Sequence, residues 1–345
     1  MNKKQYIYSI TLADLKNLLP GIPAYRYKQI INWIYKNNIY DPEKMSNIPL
    51  NIKNQLSESF DYNLPEIIKK SKTSDKTNKY LVKLGDGETI EFVIIDSPKR
   101  KTLCLSSQVG CPVQCRFCAS GMFGLNRNLT NGEIIAQFLL ASKEIGKTPD
   151  NVVFMGIGEP LLNYNNLISS LDIICSLEYF NYASRRITIS TSGIPKQIIK
   201  LADLSQQWNL ALSLHATDDV IRAELIPDKS RYPLNEILES CKYYFSKTGR
   251  MITLEYTLIK DINDSIEQAT ELTDIAKSMR AKINLIPFNK VLGCDFERPE
   301  RNKCLKFANV LQSNGINFTF RLEKGSNIDA ACGQLRASNL KENIS

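Results

Sequence analysis

Seven short β-rich apolar runs, at 102–105, 152–155, 187–189, 210–214, 252–258, 283–286 and 318–320, constrain this chain more than any other feature. Helical apolar spacing fills several gaps between them, as at 133–145, 195–204, 234–245 and 265–278. Parallel strands need long crossovers, usually helices, so strand–helix alternation predicts an α/β fold with a parallel sheet and helices outside it. The count suits an open or partial barrel of the TIM type, (β/α)6, with its chemistry at the C-terminal ends of the strands.

Before the alternation, residues 1–60 read as short helices. Leu12, Leu15, Leu18 and Leu19 recur at helical spacing, as do Ile30, Ile31, Ile34 and Tyr35, and prolines 20, 23, 42 and 49 punctuate them. The polar stretch 69–79 predicts an exposed connection. Runs 79–84 and 89–95 then flank Gly85-Asp86-Gly87, a turn between two strands.

Charge adds one asymmetry. The chain of 345 residues has 44 Lys plus Arg and 36 Asp plus Glu, a net +8. Residues 1–80 hold 13 of those cations and 7 of the anions, so +6 of the +8 lies there. Aromatics interleave with the cations at Tyr25-Arg26-Tyr27-Lys28, Trp33 and Tyr35-Lys36. Such a face suits a nucleic-acid surface, cations on phosphates and rings on bases, or it is a solvated helix whose aromatics fill a small core. No run of 18 apolar residues is present, which excludes a transmembrane helix. No apolar segment follows the basic N-terminal residues, so a cytoplasmic location is expected.

The nine cysteines are accompanied by one histidine, so a metal site here must be mainly thiolate. In a reducing compartment, cysteines point to metal or catalysis rather than a disulfide frame. Gly110-Cys111-Pro112-Val113-Gln114-Cys115-Arg116-Phe117-Cys118 places three of them on one loop after a strand. Three thiolates can hold three corners of a 4Fe-4S cluster and leave one iron open. Two other readings stand beside this one: zinc with Cys104 as fourth ligand, and cysteines that are simply buried. Cys175, Cys241, Cys294 and Cys304 match no motif and read as structural.

The Cys-x3-Cys-x-Phe-Cys loop and Gly156-Ile-Gly158-Glu159-Pro160 resemble the radical S-adenosylmethionine (radical SAM) superfamily. More specific segments follow in order: Thr102-Leu-Cys104-Leu-Ser-Ser-Gln-Val-Gly-Cys111, Leu125-Asn-Arg-Asn-Leu-Thr130, Ser190-Thr-Ser-Gly193, Ser213-Leu-His215, Ile286-Pro-Phe-Asn289 and Asp329-Ala-Ala-Cys332-Gly-Gln-Leu335. Together, from about residue 80 to 336, they resemble the RlmN/Cfr family of RNA adenine methyltransferases.

That resemblance implies a radical SAM barrel at 101–322. A helical accessory domain at 1–75 would contact RNA, a β-hairpin extension would span 76–100, and a C-terminal segment at 323–345 would carry a methyl-carrier cysteine. Cys111, Cys115 and Cys118 would hold the 4Fe-4S cluster. Gly158, Glu159, Ser190, Ser213, Leu214, His215 and Asn289 would bind S-adenosyl-L-methionine, two molecules being used per turnover. Cys332 would take a methyl group as S-methylcysteine; after hydrogen removal, its carbon would join adenine and tether the RNA. Glu91, or Cys104 in its stead, would accept the ring proton. Cys104 would release product through a transient disulfide with Cys332.

The implied substrate is C2 of an adenine in 23S ribosomal RNA, with some transfer RNAs as further substrates. Partners would be an external electron donor and a disulfide reductant, with the enzyme acting as a monomer. Val109 and Asn126-Arg127-Asn128 resemble the C2 branch, and the C8-methylating antibiotic-resistance branch is the alternative. A more distant alternative is a zinc-stabilised RNA-binding protein. Taken alone, Gly158 could be a turn glycine, Ser190 a loop serine, His215 a core residue and Glu91 an outward-facing strand residue.

Overall fold

The computed structural model describes residues 4–73, 76–122, 124–204, 206–227, 232–291, 293–320 and 333–335. The chain opens with β1 (Gln5–Tyr6) and the helices α1 (Leu12–Leu18), α2 (Ala24–Tyr35) and α3 (Leu50–Ser59). Helix α1 starts in a capping box: Thr11 Oγ1 accepts from Asp14 N while the Asp14 carboxylate accepts from Thr11 N. β2 (Phe60–Asp61) closes the segment by pairing in parallel with β1.

Two of the four aromatics interleaved with cations, Tyr27 and Tyr35, are buried in the core, and Trp33 packs partly buried against it, whereas Tyr25 is 53% exposed with the Arg26 guanidinium over its ring. Burying one helix face was worth more than presenting its rings, because isolated helices this short gain their stability from packing. Tyr35 packs tilted against Tyr179 and edge-on against Phe180, at centroid distances of 4.8 and 4.9 Å. Lys36 Nζ donates to Tyr179 O at 2.6 Å. A Cβ on Gly132 would stand 2.7 Å from the Tyr6 ring, so glycine there lets the N-terminal segment close onto the barrel.

The main sheet begins with β3 (Glu66–Lys72), β4 (Thr77–Lys83), β5 (Thr89–Ser97) and β6 (Arg100–Cys104), joined antiparallel. The exposed connection expected at 69–79 is therefore largely strand. Lys69, Lys70 and Lys72 occupy an edge strand, where backbone pairing with β4 needs no apolar side chains and charge discourages a further strand. A small ribbon follows, β7 (Gln108–Gly110) against β8 (Leu125–Asn128), and the cysteine loop lies between its strands.

The sheet then continues in parallel from β6 through β9 (Asn151–Phe154), β10 (Ile187–Thr191), β11 (Asn209–Ser213), β12 (Thr253–Leu258), β13 (Lys282–Pro287) and β14 (Phe318–Phe320). Crossovers are made by α4 (Asn131–Ile145), α5 (Tyr164–Cys175), α6 (Pro195–Asp203), α7 (Asp219–Leu225), α8 (Leu234–Thr248), α9 (Ile266–Met279) and α10 (Arg301–Ser313). This is the expected α/β partial barrel, with a seventh parallel strand at its far edge.

Strand alternation decides what the barrel encloses. Ile187, Ile189, Leu210, Leu212, Leu254, Tyr256, Ile283 and Leu285 belong to the core shared with the helices. The intervening Ser190, Ser213, Glu255, Thr257 and Ile286 face inward onto one cavity. Small and polar residues hold positions that bulky aliphatics fill in a closed barrel, so the interior stays hollow.

Candidate active site

The cavity sits at the C-terminal ends of the parallel strands. Cys111, Cys115 and Cys118 line one side of it, with Gly158, Glu159, Ser190, Ser213, His215, Asn289 and Gly333 around the rest. Nine residues expected at the site thus meet in one space although the sequence scatters them from 111 to 289. Leu214 differs: its side chain is fully buried in the core, and its N–H donates to Glu255 O at 3.0 Å. Cys332 lies outside the described residues. Its chain neighbour Gly333 lines the cavity and accepts from Ala119 N at 2.6 Å.

The cysteine loop is anchored at several points. Cys111 N donates to Gly124 O, Arg116 N to Leu225 O and Cys118 N to Cys115 O, each at 2.9–3.0 Å. The Phe117 ring meets the His215 ring edge-on at 4.7 Å, which fixes the loop against the end of β11. Burial pushes the Cys111 thiol up to about 12 and Cys115 well above its ordinary range, with Cys118 adding like-charge repulsion in both cases. Three thiolates so close require a cationic centre to form. Among the described residues, no group of three His, Cys, Asp or Glu closes around a single ion. A soft donor set spread around a cavity rim suits an iron–sulfur cluster, which is larger than one ion and takes its cysteines at separate corners.

Gly158 and Glu159 belong to a loop pressed onto residues 105–108. Ser107 N and Gln108 N both donate to Ile157 O, at 2.8 and 3.2 Å. Gly158 has φ +105°, and a Cβ there would lie 2.6 Å from Gln108 Cβ and 2.8 Å from Gln108 N. Gly158→Ala should therefore cost about 1–3 kcal/mol of stability and weaken S-adenosylmethionine binding. Denaturant unfolding and equilibrium dialysis check this; unchanged values in both would return Gly158 to an ordinary turn. Glu159 is buried, its carboxylate accepting from Leu161 N at 3.1 Å and Ser192 N at 2.7 Å. Desolvation raises its pKa while those N–H groups oppose the rise.

His215 adopts φ +56°, with its carbonyl held by Asn263 Nδ2 and its Nδ1 accepting from Thr257 N at 3.1 Å. Burial, and next the Arg222 cation, depress its pKa to about 3. The imidazole is consequently neutral and carries its proton on Nε2 as a donor. Ser190 Oγ and Ser213 Oγ stand 3.5 Å apart on neighbouring strands.

Glu91 and Cys104 do not line the cavity. Both lie on the same face of the adjoining antiparallel sheet, where Val93 pairs with Cys104. Cys104 belongs to a small apolar cluster with Val93, Ile157 and Leu335, so residue 335 reaches the same side of the sheet. Glu91 is 1% exposed and forms an ion pair with Lys79 at 3.2 Å, so it is not an outward-facing strand residue.

Sequence reasoning passed over Gln108, Arg222 and Glu255. Gln108 Oε1 accepts from Glu159 N at 2.8 Å, and Arg222, buried, donates to Ser192 O. Glu255 lines the cavity and accepts from Asn284 Nδ2 at 2.6 Å. A lone acid at an inward position of Thr-Leu-Glu-Tyr-Thr-Leu was the available signal for Glu255.

Comparison with known proteins extends these findings. Residues 105–273 match the radical SAM superfamily, and residues 10–61 match the ribosomal RNA large subunit methyltransferase N-terminal domain. A probable dual-specificity RNA methyltransferase RlmN from Dictyoglomus turgidum is 43% identical over 340 residues, 97% of each chain. A Clostridium botulinum protein of the same description is 43% identical over 335 residues, 96% of this chain and 98% of that one. The crystal structure of a radical SAM methyltransferase from Sphaerobacter thermophilus superposes with a TM-score of 0.90 at 40% identity, covering 96% of this chain and 99% of that one.

Proposed function

The chain belongs to the RlmN family of radical SAM RNA methyltransferases, and from that premise we propose that it methylates C2 of adenine in 23S ribosomal RNA and in some transfer RNAs. Membership sets aside the zinc-stabilised binding protein, since the superfamily works with a 4Fe-4S cluster and S-adenosylmethionine. The observation carrying the two-cysteine route is that Leu335, three residues past Cys332, joins the small apolar cluster that also holds Cys104.

A cluster on Cys111, Cys115 and Cys118 would supply the electron that cleaves S-adenosylmethionine. The protein's own residues do the rest. Gly158 lets the loop approach closely, Glu159, Ser190, Ser213 and Asn289 orient the ligand, and neutral His215 donates from Nε2. Cys332 as thiolate takes the methyl group by nucleophilic displacement. After one hydrogen atom is lost from that S-methyl group, its carbon joins C2, Glu91 accepts the ring proton, and the surplus electron would return to the cluster. The Cys104 thiolate attacks the Cys332 sulfur, the carbon–sulfur bond breaks, the released methylene takes up a proton to become the product methyl group, and the resulting disulfide is reopened by an external reductant.

C2 is favoured over C8 by Val109 and Asn126–Asn128. These positions are partners in the ribbon that frames the cysteine loop, with Val109 opposite Arg127. Arg127 is itself fixed by Asp86 at 2.5 Å and Glu133 at 2.8 Å. No helix among the described residues is long and apolar enough to cross a membrane. We place the enzyme in the cytoplasm, acting as a monomer.

Nucleoside mass spectrometry of RNA treated with the reconstituted enzyme tests the reading. 2-Methyladenosine is expected, and 8-methyladenosine in its place would overturn the position. Cys104→Ala should accumulate RNA bound through Cys332. A variant that is free of RNA yet fully active would remove Cys104 from the mechanism.

A further inference from the structure

A second cleft, of about 340 Å³, opens on the far side of the turn that carries Gly158 and Glu159. It is bounded by the start of α5 and by α6, at the same end of the barrel as the active site. Asn128, Asn163, Tyr164, Asn166, Gln197 and Lys200 are among its lining residues, and no acidic side chain lines it.

The cleft has a built wall. Asn163 is 2% exposed, and its Nδ2 donates to Ser107 O at 2.8 Å and Leu129 O at 2.7 Å. Its Oδ1 accepts from Asn166 Nδ2 at 2.8 Å. Asn128 Oδ1 accepts from Gln108 Nε2 at 2.7 Å, and Gln108 in turn holds Glu159 N. A hydrogen-bonded partition thus separates the cleft from the catalytic loop. Gln197 Oε1 is buried with no hydrogen-bond partner, an acceptor whose desolvation a bound donor would offset.

Carboxamides offer a donor and an acceptor side by side, the pattern presented by base edges. Tyr164 offers a ring for stacking and Lys200 a cation for phosphate. The lack of carboxylates avoids repelling a phosphodiester. An apolar ligand would not need the amides, and a divalent cation would require acidic ligands.

We propose that this cleft holds an unstacked ribonucleotide flanking the adenosine under methylation. Gln197 reads its base edge against the wall the asparagines build, Tyr164 packs on its base, and Lys200 neutralises its phosphate. The proposal rests on RNA being the substrate and adds where a neighbouring nucleotide lies.

The test uses reconstituted holoenzyme with a transcript of a 23S ribosomal RNA fragment. Gln197→Leu should raise the KM for RNA about tenfold, the size of one good amide–base contact. Lys200→Gln, an exposed substitution, should lower the slope of log affinity against log salt by about one. RNA-independent cleavage of S-adenosylmethionine and iron content should match the parent in both, which separates a binding loss from damage to the fold. Parental KM and salt slope in both variants, with methylation intact, would overturn the cleft but not the RNA reading. A parent enzyme that methylates no RNA would overturn both.

Discussion

Cys115→Ala, reconstituted anaerobically beside the parent, should lack the brown 4Fe-4S absorbance and form no 5′-deoxyadenosine. The parent should bind roughly four irons per chain. Cys115 is the middle ligand of the proposed three. Its carbonyl accepts from Cys118 N, and the loop on either side is tied to Gly124 and Leu225. The anchors hold all three thiols at one rim, so losing one leaves two corners of a cluster that already has an open iron. Cys175→Ala is the matched control: that thiol packs against the hydrophobic core, away from the cavity lining, and should retain iron and activity. Iron analysis and product chromatography decide the matter. Full iron with parental cleavage in Cys115→Ala would remove it from the ligand set.

Lys79→Met should lower the unfolding free energy by about 3–5 kcal/mol, since it strands the buried Glu91 carboxylate without its ammonium. Lys79→Met/Glu91→Leu should recover much of that loss, because replacing both partners of a buried pair with apolar side chains is often neutral. Urea unfolding of the two variants checks the stability half. The chemistry then separates the candidate bases. If Glu91 accepts the ring proton, the stable double variant should stall with RNA attached through Cys332. Parental turnover in that variant would pass the proton to Cys104.

The parallel part of the fold was readable because each of its strands carries an apolar face that a helix must cover, giving the alternation from residue 102 onward. The cysteine triplet was readable because its three thiols lie within eight residues. Other features depended on partners distant in sequence. Strand β3, Glu-Ile-Ile-Lys-Lys-Ser-Lys, has edge-strand chemistry, and its pairing with β4 leaves no apolar pattern in its second half. The rings of Tyr27 and Tyr35 offered two readings from local spacing, and only residues such as Tyr179 and Phe180 decide between them. Lys79 could not be assigned to Glu91 before strand register was known. The amide-lined cleft draws its lining from three separated segments, none of which forms a motif by itself.

The contact between Tyr35 and Phe180 also bears on how the chain is made. The helices of the 1–60 segment leave the ribosome before the barrel, and the rings that cover Tyr35 belong to residues synthesised much later. At elongation rates of 5–20 residues per second, the wait from residue 35 to residue 180 is roughly 7–30 s. During that interval Tyr35 can pack only on earlier-made neighbours such as Ile10, without the two later rings. The pace of elongation between these two positions therefore sets how long the Tyr35 end of α2 stays uncovered.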